Sequence, residues 1–103
     1  AEGLIIASEG IDASNEQFLT FDKRYKARFA ETPTIYAVNG YDAIILLAKT
    51  ITRIGVNTRK VKDALYKLSD YQGAGGALSF DANGDPIKDV KLFVVQEGKF
   101  VSE

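Results

Sequence analysis

The chain has 103 residues, 46% of them hydrophobic and 26% charged, the balance of an ordinary globular domain with a modest core. Thirteen Lys and Arg against fourteen Asp and Glu leave a net charge of −1, so no strong field draws the chain to nucleic acid or to an anionic membrane. Cys and His are both absent, which removes disulfides, thiolate chemistry, the usual neutral-pH proton shuttle and the commonest metal ligand. No cofactor and no metal are expected.

Methionine is also absent, including at position 1, so a processed protein or a piece of a longer one is expected. The run Gly3 to Ala7 reads as a short buried strand. A polar connection follows from Ser8 to Ala13. Ser14 to Gln17 has the pattern of a capping box, with Ser14 as the N-cap and Gln17 reaching back. Phe18, Phe21, Tyr25 and Phe29 then recur at helical spacing and predict a helix with an aromatic face. Asp22, Lys23, Arg24, Lys26 and Arg28 fall on its other side, a solvated face rather than a binding patch. Thr32-Pro33 ends this helix.

Tyr36 to Ile54 is the stretch around which the other elements should pack. Ile44, Leu47, Ala48, Ile51 and Ile54 mark one helical face, and Ile45 and Leu46 add apolar surface beside it. The helix is therefore expected to be wrapped on several sides. Asp42 near its start and Lys49 and Arg53 near its end suit the helix dipole, and Gly55 can stop it. The run is too short and too charged for a membrane span. Asn57 or Thr58 can cap a third helix with an apolar face of Val61, Ala64, Leu65 and Leu68.

Asp70 to Gly76 closes the third helix, with Gly73 to Gly76 a flexible connection. It is not a phosphate loop, because no Gly-Lys-Ser/Thr follows. A strand is expected at Ala77 to Phe80 and a tight turn from Asp81 to Pro86 around Asn83-Gly84. Asp81, Asn83 and Asp85 have the opening rhythm of a calcium loop, but Pro86 stands at its glycine position and Leu92 at its glutamate position. Asp89 to Gln96 reads as a strand and Lys99 to Val101 as a returning edge strand. The order of one strand, three helices and three strands is α/β in content, with too few strands for an independent sheet.

No nucleophile and base can be paired without His or Cys, so an enzyme is not expected. Tyr36, near Asn39 and Gly40, offers an apolar ring with a polar tip for an organic ligand in a cleft. By itself such a residue is more often a packing tyrosine.

The ordered set changes that weighting. Gly3-Leu-Ile-Ile6 comes first, then an aromatic helix, Gly40-Tyr-Asp-Ala43 and Val61-x-x-Ala-Leu65. Gly75 to Pro86 and Phe93-Val-Val-x-Glu-Gly-Lys-Phe100 complete it. This set resembles the C-terminal part of the leucine/isoleucine/valine-type periplasmic solute-binding proteins of ABC transporters. The resemblance implies a fragment of a type I periplasmic-binding-protein fold. In it, residues 1–12 would be a strand and hinge crossover, 13–86 part of lobe one, and 87–103 strands returning towards lobe two. It implies a periplasmic or cell-surface location, a small-molecule solute such as an amino acid or aromatic acid, and a permease as partner. Tyr36 matches the family's aromatic residue at the cleft, and Asn39 lies beside it. The main ligand clamp would lie upstream. Two other readings stand beside this one. One is a self-associating structural subdomain, a homodimer through exposed strands such as Leu92 to Val95. The other is a small enzyme of unrecognised class.

Overall fold

A computed structural model of the chain describes residues 1–102, so Glu103, the last residue of the expected returning strands, lies outside it. The elements run β1 (Ile5–Ser8), α1 (Glu16–Phe29), α2 (Ile35–Ile54), α3 (Thr58–Tyr66), β2 (Tyr71–Gly73), β3 (Gly76–Phe80), β4 (Pro86–Ile87), β5 (Lys91–Gln96) and β6 (Lys99–Ser102). Five strands follow the helices where three were expected. The additional ones, β2 and β4, are three and two residues long, too short to carry a period in sequence.

Asn15, not Ser14, caps α1. Its side-chain oxygen accepts the backbone N–H groups of Gln17 at 2.9 Å and Phe18 at 3.4 Å. Ser14 is already engaged: its hydroxyl and its amide both donate to Asp12 Oδ1, at 2.6 and 2.9 Å. The cap is thus displaced by one residue and the expected box does not form, because Asp12 takes both the Ser14 hydroxyl and the amide that Gln17 was expected to reach. Ala30, with φ 56°, ends the helix in the left-handed region. The aromatic face forms as its spacing requires. Phe18 and Phe21 are buried, and Tyr25 lies between Phe21 and Phe29, with ring centroids 5.6 and 4.8 Å away. Asp22 and Lys26 pair at 3.0 Å on the outer side, a contact of small energetic weight.

The buried line of α2 is Val38, Asp42, Leu46 and Thr50, one residue per turn. The expected face is on the opposite side of the cylinder: Ile44 is 67% exposed and Leu47 40% exposed. Two of the four buried residues are polar, so hydropathy pointed to the wrong side. Both have internal partners, Asp42 as described below and Thr50 through its hydroxyl, which donates to the Leu46 carbonyl at 2.8 Å. The helix is therefore covered most deeply on the Val38–Thr50 side, while on the expected face Ile51 and Ile54 are half-buried and α3 packs along the helix as well. Asp42 does not serve the helix dipole, since α2 begins seven residues earlier, at Ile35. Asn57 caps α3 by accepting the Lys60 amide at 3.1 Å, and Val61, Ala64, Leu65 and Leu68 are half-buried as a face.

The strands form two antiparallel sheets, ordered β1-β5-β6 and β2-β3-β4. In the first, Ile5 faces Val94 and Val95 faces Phe100; in the second, Tyr71 faces Leu78 and Ser79 faces Ile87. Between β3 and β4 the Asp81 carboxylate turns inward on its own loop and accepts the amides of Asn83 and Asp85 at 2.8 and 2.9 Å. The core is small: Phe18, Phe21, Val38 and Ala74 form one cluster. The Cα radius of gyration is 16.0 Å, against about 13 Å for a compact domain of this length. The first sheet is set apart from the helical body, and that separation accounts for the extended shape. No helix among the described residues is long and apolar enough to cross a membrane.

Candidate functional site

Thr34 starts α2 from an extended backbone, and its hydroxyl oxygen accepts the Ala37 amide at 3.4 Å. Tyr36 therefore sits in the first turn, where the helix presents its partial positive charge. Its side chain is 83% exposed. It is not a packing tyrosine within this chain.

Asn39, three residues on, is half-buried and engaged at both ends of its amide. Its Oδ1 accepts from Lys88 Nζ at 2.9 Å, and its Nδ2 donates to Glu9 Oε2 at 3.3 Å. Glu9 immediately follows β1 and Lys88 immediately follows β4. The start of α2 thus meets both segments that join the first sheet to the rest of the molecule. Tyr36 and Asn39 share this end of the helix, but only Asn39 is drawn into its polar contacts.

A groove of about 350 Å³ opens beside this end, lined by Ile6, Ser8, Glu9, Ile11, Ile35 and Phe93 among others. Its size suits a small organic molecule, and its walls are mainly apolar. A second groove, of about 410 Å³, lies between α2 and α3 against Leu47, Ile51, Leu65, Tyr66 and Phe80. It is mainly apolar too, with Thr58 and Lys62 also on its wall, and it lies away from the start of α2.

Sequence reasoning missed Glu9, Lys88 and the role of Asp42. The Asp42 carboxylate accepts the Ala74 amide at 2.8 Å and the Gly75 amide at 2.7 Å. Gly73 to Gly76 is thus the ordered turn of the β2–β3 hairpin, not a flexible connection. Asn15 Nδ2 adds a bond to the Gly73 carbonyl at 3.0 Å. A carboxylate in the apolar half of a helix was the available signal, because a buried charge requires partners. Tyr71 stands beside this turn, with its phenol pKa pushed up by burial and then by the Asp42 and Tyr41 charges. Asp12 is held below the usual carboxylate range by the Ser14 hydroxyl and then the Ser14 amide.

Residues 1–99 match the model of the periplasmic binding protein family. No curated protein matches the chain. Several solved structures do. A leucine-binding protein from Thermotoga maritima is 31% identical, with a TM-score of 0.78, over 99% of this chain and 30% of its own. An ABC transporter substrate-binding protein from Desulfitobacterium hafniense, solved in complex with Leu, is 30% identical, with a TM-score of 0.80, over 100% of this chain and 32% of its own. A branched-chain amino acid transporter substrate-binding protein from Streptococcus pneumoniae, in complex with isoleucine, is 27% identical, with a TM-score of 0.79, over 100% of this chain and 30% of its own. The chain thus spans less than a third of the length of these structures, all of them binding proteins rather than enzymes. Its three helices and short antiparallel strands are a fragment of the type I fold those proteins share. The match runs through nearly every element described above, and the chain belongs to the periplasmic binding protein family.

Proposed function

We propose that this chain is the C-terminal third of an extracytoplasmic substrate-binding protein, which captures a small organic solute and delivers it to the permease of an ABC transporter. The observation that carries the proposal is the junction at the start of α2. Two connecting segments lie side by side there, next to an apolar groove and an exposed aromatic side chain. In this reading residues 1–12 are a strand and hinge crossover, 13–86 belong to one lobe, and 87–103 return towards the other. The solute is held as two lobes close about the hinge. Tyr36 packs on its side chain, and Asn39 supports the polar edge of the site. The leucine and isoleucine complexes of the relatives make an amino acid the leading class of solute.

The test is calorimetric titration of leucine, isoleucine, valine and benzoate into a full-length binding protein carrying this chain. Saturable binding of one solute per protein supports the proposal. No heat with any amino acid or aromatic acid rejects it.

A second reading is favoured by one observation. Leu92, Phe100 and Val101 on the first sheet are 48%, 70% and 40% exposed. Such a surface invites pairing with a second copy. Sedimentation of the chain over a range of concentrations separates the two readings, since self-association raises the mass without any solute.

A further inference from the structure

We propose that Glu9, Asn39 and Lys88 form a latch that fixes the angle between the β1-β5-β6 sheet and the helical body. The inference rests on the hinge reading of the two connecting segments and assigns the contact that sets the hinge. Among the described residues, those after β1 and before β5 are the covalent links between the two parts of the molecule. Each carries one of the charged side chains that meet at Asn39. Glu9 accepts from Nδ2 at 3.3 Å, and Lys88 donates to Oδ1 at 2.9 Å.

The chemistry permits one orientation of that amide. Turning it over would set its NH₂ against the Lys88 ammonium and its carbonyl oxygen against the Glu9 carboxylate, so both contacts would become repulsive. A single neutral side chain therefore satisfies two opposite charges from two segments at once. The first segment also lies close on β5. A Cβ built on Gly10 would stand 2.6 Å from Phe93 Cζ and 2.7 Å from Lys91 Cδ. The segment thus moves with the sheet, and the latch ties that unit to α2 by polar contacts at a point beside the apolar groove. Asn39 lies within one turn of Tyr36, so the same contact sets where Tyr36 stands relative to the sheet. Asn39 is a positioning residue in this account.

The test uses the absence of cysteine. Val101→Cys on β6 and Arg59→Cys on α3 allow two spin labels to be attached, one on each part, and their separation to be measured as a distance distribution. The parent chain should give one narrow distribution. Asn39→Ala should broaden it, and Asn39→Asp, which keeps the Lys88 contact but repels Glu9, should broaden it less. Lys88→Met provides a variant outside any helix or strand, should Asn39→Ala prevent folding. An unchanged distribution in a folded Asn39→Ala or Lys88→Met chain overturns the latch. No solute enters this measurement. Failure of the latch leaves solute binding untouched, and failure of the titration above leaves the distance result standing.

Discussion

Gly75 and Asp42, 33 residues apart in the chain, meet in a 2.7 Å hydrogen bond, with the Gly75 amide donating to Oδ2. The Ala74 amide donates to the other oxygen at 2.8 Å. Asp42 is only 8% exposed and Ala74 2%, so water cannot replace either bond readily. Asp42→Ala should lower stability by about 3 kcal/mol, as expected when buried donors lose a charged acceptor. In a chain of this size that corresponds to a fall in Tm of more than about 10 °C. Asp42→Asn should recover little, because it keeps one acceptor and turns a donor on the second amide. Thermal unfolding followed by circular dichroism checks both.

Gly73 lies under the same carboxylate. A Cβ there would stand 2.6 Å from Asp42 Oδ2 and 2.7 Å from its Cγ. Asp42 is held by two bonds and cannot simply turn aside. Gly73→Ala should therefore cost about 1–3 kcal/mol through overpacking. In the Asp42→Ala background the obstacle is gone, and the same substitution should cost much less. A double-mutant cycle in urea measures this coupling. Additive losses would mean that the two residues do not act on each other.

These two residues also explain what was legible in the sequence. The aromatic face of α1, a cap at Asn57 or Thr58 and the antiparallel pairing of the last two strands follow from local pattern, and they form, with Asn57 as the cap. The buried face of α2 does not, because Asp42 and Thr50 belong to it and their partners are a distant turn and a backbone carbonyl. The four residues from Gly73 to Gly76 have no side-chain pattern at all. Their order comes from Asp42 and Asn15, which spacing alone cannot bring to them. At the candidate site, Tyr36 is a proposal drawn from resemblance, whereas Glu9 and Lys88 matter only once the topology sets their segments beside α2.

Tyr71 predicts an alkaline limit to stability. Burial, then the Asp42 charge, raises its phenol pKa above the ordinary 10.0. The unfolded chain therefore ionises first. Stability from this group is complete below pH 10.0 and falls as the pH rises through the folded value. Tyr71→Phe should flatten the alkaline limb of the urea-stability profile relative to the parent. An identical limb in the two proteins would rule out this source.

Asp12 acts in the opposite direction. Its pKa is depressed by the Ser14 hydroxyl and amide, so its contribution is present above the ordinary 3.8 and lost as the pH falls through the folded value. Ser14→Ala removes the larger cause. An NMR titration of the Asp12 carboxyl should then move upward, towards the ordinary value. No movement would mean that the hydroxyl is not the source of the depression.

Tyr36 separates function from folding. At 83% exposure its ring contributes little to the stability of this chain, so Tyr36→Ala should change stability by less than about 0.5 kcal/mol. If Tyr36 packs on the solute in the closed protein, the same substitution removes an aromatic contact that closure buries. Affinity should then fall about ten- to a hundredfold, the range for truncating an anchoring aromatic residue. Tyr36→Phe keeps the ring and should retain most of the affinity. Calorimetry on the full-length protein reads both. Unchanged affinity in Tyr36→Ala would remove Tyr36 from the site. Asn39→Ala offers the contrast, because Asn39 is tied to Glu9 and Lys88 rather than exposed. It should alter the spin-label distances, which Tyr36→Ala should leave unchanged. A contact residue and a positioning residue one turn apart on α2 are thereby told apart by which of the two measurements moves.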